Sequence, residues 1–171
     1  MKNISYLCSE NDKMKRFLLL FACLLCLCGS SAQERLFFVS RNLNKNIIVY
    51  DVQLKNGGLD MEKPLHVYWY NLEHNPVTTN ELNFIQRKMA YGYTVESKGH
   101  DEVMVKLKAY KKRLVKVCKR EGKWVGITTI NGKECILTEI YAHCPSKTSC
   151  DFLELRGKAL QGGKAEKEVV K

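Results

Sequence analysis

The chain has 171 residues, 45% of them hydrophobic, with three prolines and eleven glycines. That composition supports a packed core and excludes a collagen-like, linker-like or wholly disordered chain. Lys and Arg number 28 against 18 Asp and Glu, and the resulting net charge of +10 favours anionic partners.

Residues 1–13 are polar and are read as an extension upstream of the true start, Met14. From Met14 to Ala32 the chain has the three parts of a signal peptide. Lys15 and Arg16 are the basic region, Phe17 to Cys28 is an apolar run of twelve, and Ser30-Ser31-Ala32 offers small residues before a cut at Gln33. Twelve apolar residues make about 18 Å of helix, too short for a hydrocarbon core of roughly 30 Å. The expectation is therefore export to the periplasm or outer-membrane surface, with no transmembrane span in the mature chain. Lipid attachment at Cys28 is the less favoured variant, because Leu27 is bulkier than the residue such sites take.

Removing residues 1–32 leaves 139 residues, a net charge of about +8 and four of the eight cysteines: Cys118, Cys135, Cys144 and Cys150. An even count in an exported chain favours disulfides over metal ligation. No CxxC pair remains, so neither a zinc ribbon nor a thioredoxin-like site is expected.

Period-two alternation then dominates. Arg35–Ser40 and Ile47–Leu54 read as strands around the turn-rich RNLNKN, and Leu65–Leu72 as a third strand. Thr78 and Glu81 have capping-box spacing ahead of Leu82, Ile85 and Met89, which predicts one helix ending near a left-handed Gly92. Further strands follow at Tyr93–Lys98, Glu102–Tyr110, Leu114–Lys119, Trp124–Ile130, Glu134–Cys144 and Asp151–Arg156. The lysine-rich residues 158–171 read as a basic flexible tail after a β-rich domain at 33–157. The fold expected is mainly β: an antiparallel hairpin meander forming a barrel or half-barrel, with one helix over an open end. A two-sheet β-sandwich is the alternative.

Two-residue turns at Glu121-Gly122 and Asn131-Gly132 fix local register. Cys118 then faces Val125 and Cys135 faces Thr128, which puts the two cysteines on opposite faces and forbids a bridge between them. Cys144 and Cys150 flank PSKTS and are expected to be bonded. The same arithmetic places Glu139, Tyr141 and His143 on one face with Trp124, Leu137 and Leu153.

Three sets of side chains are candidates for function. In LHVYWYNL, Leu65, Val67 and Trp69 take the core face, leaving His66, Tyr68 and Tyr70 as a ligand-binding face of flat rings and hydrogen-bonding groups. Glu139, Tyr141 and His143 are a second set, able to serve as acid and base if the carboxylate and imidazole meet in a buried site. The third is a basic stripe, Lys106, Lys108, Lys111, Lys112, Arg113 and Lys116, suited to lipid headgroups or acidic glycans. Each has an ordinary structural reading as well: a half-exposed barrel wall, a polar strip at a barrel mouth, and a solvated face protecting an edge. There is no GxSxG elbow, phosphate loop or HExxH helix, and the four histidines lack ligand spacing. No cofactor, catalytic metal or nucleic-acid partner is expected.

The blocks FFVSRNLNKNIIVYDV, PLHVYWYN and ELNFIQRKMAYGYTV, within Leu36 to Gly157, resemble a bacterial family catalogued as domain of unknown function 4833. The resemblance implies a small exported bacterial protein and supplies no activity, cofactor or catalytic residue. The residues themselves favour an exported, non-enzymatic module that binds an apolar or anionic envelope component. The alternatives are a small envelope enzyme built on Glu139 and His143, and a structural subunit docking onto another envelope protein.

Overall fold

The computed structural model describes residues 34–146 and 149–171. The readings placed on 1–13, on the signal peptide and on Cys28 lie outside them. Among the described residues thirteen strands form in chain order: β1 (Arg35–Arg41), β2 (Asn44–Val52), β3 (Leu54–Lys55), β4 (Gly58–Leu59), β5 (Leu65–Asn71), β6 (Thr78–Glu81), β7 (Tyr93–Lys98), β8 (Glu102–Leu107), β9 (Leu114–Arg120), β10 (Lys123–Ile130), β11 (Lys133–His143), β12 (Phe152–Ala159) and β13 (Ala165–Val170). They build one large curled sheet, a half-barrel, ordered β6-β5-β2-β1-β11-β10-β9-β8-β7, with β12 and then β13 added along β11. The small β3–β4 hairpin stands apart. The mainly β, half-barrel expectation therefore holds.

The hairpins follow the turn chemistry. Asn131-Gly132 and Glu121-Gly122 both adopt two successive positive φ angles, the geometry that matches strand twist in a two-residue turn. Register follows as predicted: Cys118 lies opposite Val125, and Thr128 opposite Cys135. Cys135 packs in the core, Cys118 lies outside that cluster, and both are buried free thiols. Cys144 and Cys150 are within bonding distance, with Cα atoms 3.9 Å apart.

Strand β11 organises the sheet. One edge pairs with β12 along nearly its whole length. The other pairs antiparallel with β10 through Lys133–Ile136, then parallel with β1 through Glu139–Ala142. This parallel pair departs from a pure hairpin ladder and joins the two halves. Between Leu137 and Glu139 the register shifts. The bulge reverses which residues face inward: Cys135 and Leu137 are buried before it, Ile140 and Ala142 after it. Glu139, Tyr141 and His143 are consequently turned away from Leu137, which corrects the uninterrupted alternation assumed from sequence.

One core runs through both halves. The Phe37 and Tyr50 rings stack with centroids 4.5 Å apart, among Ile48, Val105, Val117, Ile130, Leu137 and Leu155. The open edges of the half-barrel approach through Tyr93 on β7. Its hydroxyl donates to the Leu65 carbonyl at 2.9 Å and accepts from the Leu65 amide at 3.2 Å.

The predicted helix is displaced and shortened. Thr78–Glu81 is strand, because four residues rich in β-branched threonine complete the exposed edge of β5. The reciprocal cap forms instead at Asn83 and Gln86, whose side chains each accept from the other's backbone amide, at 2.8 and 3.1 Å. The helical segment includes a π-helical turn at Gln86–Ala90. Leu82 is buried, but Ile85 and Met89 face solvent rather than the core. Gly92 is not left-handed; a Cβ there would lie 1.9 Å from the Arg87 carbonyl oxygen, so close approach sets its identity.

Residues 158–171 are not a loose tail. Alternating β13 side chains are partly covered, and the strand pairs with β12 from Lys158↔Ala165 to Leu153↔Val170. Arg113 forks onto Glu168, Lys133 reaches Glu166 at 2.6 Å, and Lys167 reaches Glu154 at 3.1 Å. The composition reads as a tail because its partners are distant in sequence.

Gly157 lies opposite Leu137, at the start of the bulge, where a Cβ would meet the Ile136 carbonyl oxygen at 2.5 Å and Ile130 Cδ1 at 2.8 Å. Gly157→Ala should lower stability by about 1–3 kcal/mol through overpacking. Urea denaturation checks this; an unchanged midpoint would contradict the tight fit.

Candidate functional site

The curl of the sheet leaves a cleft at one mouth of the half-barrel, of about 510 Å³. Val39, Tyr50, Ile140, Ala142, Leu107, Phe152, Leu153 and Val170 bring apolar surface to it from β1, β2, β8, β11, β12 and β13. The bulge in β11 places Ile140 and Ala142 on this inner face. Arg41, Lys108, Lys111, Lys112 and Lys171 also line it, and Asp151 is the one acidic side chain among the lining residues. The arrangement is an apolar pocket with a cationic rim.

Several contacts hold the wall on the helical side. Tyr50 donates its hydroxyl to the Tyr91 carbonyl at 2.7 Å. Complete burial, reinforced by Tyr91, raises the Tyr50 hydroxyl pKa and keeps it a donor. Arg41 donates to the Tyr91 hydroxyl at 3.1 Å and lies 4.9 Å from the centroid of the Trp69 ring. Its buried Nε makes no hydrogen bond. Trp69 meets Tyr91 edge to face at 5.5 Å and donates to Gln86 at 3.3 Å. The helical turn is thereby fastened to β1 and β5.

The basic stripe divides on folding. Lys108, Lys111 and Lys112 reach the cleft, where Lys112 also donates to the Lys171 main-chain oxygen. Lys106 turns to the sheet surface, 3.9 Å from Glu96. Lys116, opposite Met104 and Ile127, is not among the cleft-lining residues. Arg113 is committed to β13: one nitrogen donates to Glu168 at 2.7 Å and the other completes a fork. That clamp, aided by the Asn131 amide, holds the Glu168 carboxyl at a pKa of about 2.

His66, Tyr68 and Tyr70 occupy the outer face of β5, as the alternation predicts. They form a polar cluster there, beside a shallow depression of about 270 Å³. His66 contacts Glu81 at 2.6 Å and its ring lies 4.8 Å from that of Tyr68. Tyr68 donates to Asp51 at 2.7 Å, and Arg35 lies 5.3 Å from the centroid of the Tyr70 ring. Burial pushes the Asp51 carboxyl above its ordinary range against the opposing pull of Tyr68, Arg35 and His66.

Glu139, Tyr141 and His143 share the outer face of β11, but the carboxylate and imidazole do not meet. Four residues along one strand separate Glu139 and His143 by about 13 Å. Glu139 binds Arg156 at 2.8 Å and accepts from Ser40. Arg156 also covers the Tyr141 ring. His143 stacks on Phe152, with ring centroids 4.8 Å apart. The geometry supplies no acid–base pair between Glu139 and His143.

Sequence reasoning missed the cleft because its floor comes from six strands and its inner face depends on a bulge. The available signal was the cluster Lys108, Lys111 and Lys112 at a strand-to-strand connection beside Tyr110.

The fold and cleft define a class: a β half-barrel with a basic-rimmed apolar pocket. The family described as domain of unknown function (DUF4833) matches residues 37–169, and the chain belongs to that family. The match extends through most of β13, consistent with that strand being part of the domain. No curated protein and no solved structure matches the chain.

The Glu168 clamp gives a pH dependence with a defined sign. Its folded pKa is depressed from 4.5 to about 2, so its contribution is present above the unfolded value and lost as pH falls through that interval. Glu168→Gln should cost about 1–2 kcal/mol at neutral pH, with the gap to wild type closing on acidification. Urea midpoints across pH test this; a gap independent of pH would refute the clamp.

Proposed function

We propose that the protein is a binding module for an amphiphile with an acidic headgroup. The carrying observation is the joining of apolar floor and basic rim in one cleft of about 510 Å³, within the roughly 300–1,000 Å³ of small-ligand sites. An alkyl chain lies against Val39, Leu107, Ile140 and Leu153, removed from water. A carboxylate or phosphate faces Lys108 and Lys111, with Arg41 deeper at the wall. Apolar burial supplies most of the affinity, and the charged rim orients the ligand and speeds capture. The signal-peptide-like leader supports an exported protein and hence an envelope amphiphile as the natural cargo.

Titration with the fluorescent fatty acid cis-parinaric acid tests this reading. Leu153→Trp should fill the pocket and weaken binding by at least about tenfold. Lys108→Glu with Lys111→Glu should weaken binding comparably and make the remainder less sensitive to salt. Failure of the wild-type protein to bind the probe, or affinity unaffected by both changes, would overturn it.

A further inference from the structure

We infer that the helical turn beside the cleft is a membrane-docking wedge that seats the protein on an anionic lipid surface. This deepens and rests on the amphiphile reading, since it names the surface from which the cleft is loaded.

Phe84, Ile85 and Met89 are 76%, 70% and 69% exposed, the three highest values among the exposed large hydrophobic residues described. They project from one short segment, and Ile85 and Met89 line a groove of about 730 Å³ with Leu43 and Trp69. So much apolar surface on a single projecting turn marks a binding surface rather than ordinary scatter.

Two observations select a lipid surface as its occupant. The first is charge. Lys88 rises from the same turn, 5.6 Å from the centroid of the Phe84 ring, and Lys45 lies two residues after Leu43 in the adjoining hairpin, its amide donating to Glu73. Exposed aromatic and aliphatic side chains flanked by lysines match an interface of acyl chains beneath anionic headgroups. The second is continuity. Arg41, Ala90 and Tyr91 line both this groove and the cleft, so the wedge adjoins the ligand-binding mouth. An amphiphile leaving a bilayer at the wedge reaches the basic rim without crossing the outer face of the sheet.

Sedimentation with phosphatidylglycerol-containing vesicles tests the inference. Wild type should partition to the vesicles, more weakly at high salt. The triple change Phe84→Ser, Ile85→Ser, Met89→Ser should reduce partition by at least about tenfold. Cis-parinaric acid binding without vesicles should change little in that variant. Val169→Ser removes an exposed apolar residue on β13, opposite Glu154 and outside the groove and the cleft, and should leave partition intact. Lys88→Glu with Lys45→Glu should weaken partition selectively on anionic vesicles.

Absent partition, or partition indifferent to the triple change, overturns the wedge while leaving probe binding to judge the cleft. A dimer in solution that the triple change dissolves would also overturn it, by naming a second copy as the occupant. Partition by a protein that does not bind the probe would support the wedge and overturn the cleft reading alone.

Discussion

A β-strand has two hydrogen-bonding edges, and β11 divides them among three partners. β12 takes one edge, while β10 and β1 share the other end to end. The two sheet halves must diverge where that shared edge changes hands. The bulge after Leu137 falls at this point, adding the twist that divergence needs and reversing the faces of the strand. Curl, cleft and the outward turn of Glu139 follow from this one irregularity.

The cleft is the inner consequence of that divergence. Where β1 and β10 separate, the core cannot be filled by β11 alone, and the mouth is lined from several strands at once. Outward-turned groups have a different fate. Glu139, Glu154 and Tyr141 gather around Arg156, and Asp51 gathers Tyr68 and Arg35. These networks tie charged groups together on the outer face of the sheet. The mouth instead combines apolar area with a predominance of positive charge, the pairing on which the proposed preference for amphiphiles rests.

Legibility in the sequence tracks the range of the interactions involved. The Glu121-Gly122 and Asn131-Gly132 hairpins could be registered residue by residue because a two-residue turn leaves the flanking strands no other pairing. The face of β5 was readable for the same local reason. By contrast, β13 is secured by Arg113, Lys133 and Glu154, distant groups that a lysine-rich local composition conceals. The bulge has no glycine at Thr138 or Glu139 to announce it; its sign is Gly157, on the neighbouring strand. Thr78 and Glu81 carried helix-start spacing, but the free edge of β5 offered their backbone a ladder, and Asn83 with Gln86 capped the turn instead. The pocket was least legible of all, being a product of sheet shape.

The pairing of β13 with β12 has a practical corollary for any shortened version of this chain. Ending the polypeptide after Gly157, where composition turns lysine-rich, would discard a row of backbone donors and acceptors that β12 relies on. The newly bared strand carries Leu153 and Leu155 and has no proline to blunt it. Such a fragment is primed to recruit another fragment's strand, so poor solubility on trimming would report a lost cover rather than a failed core.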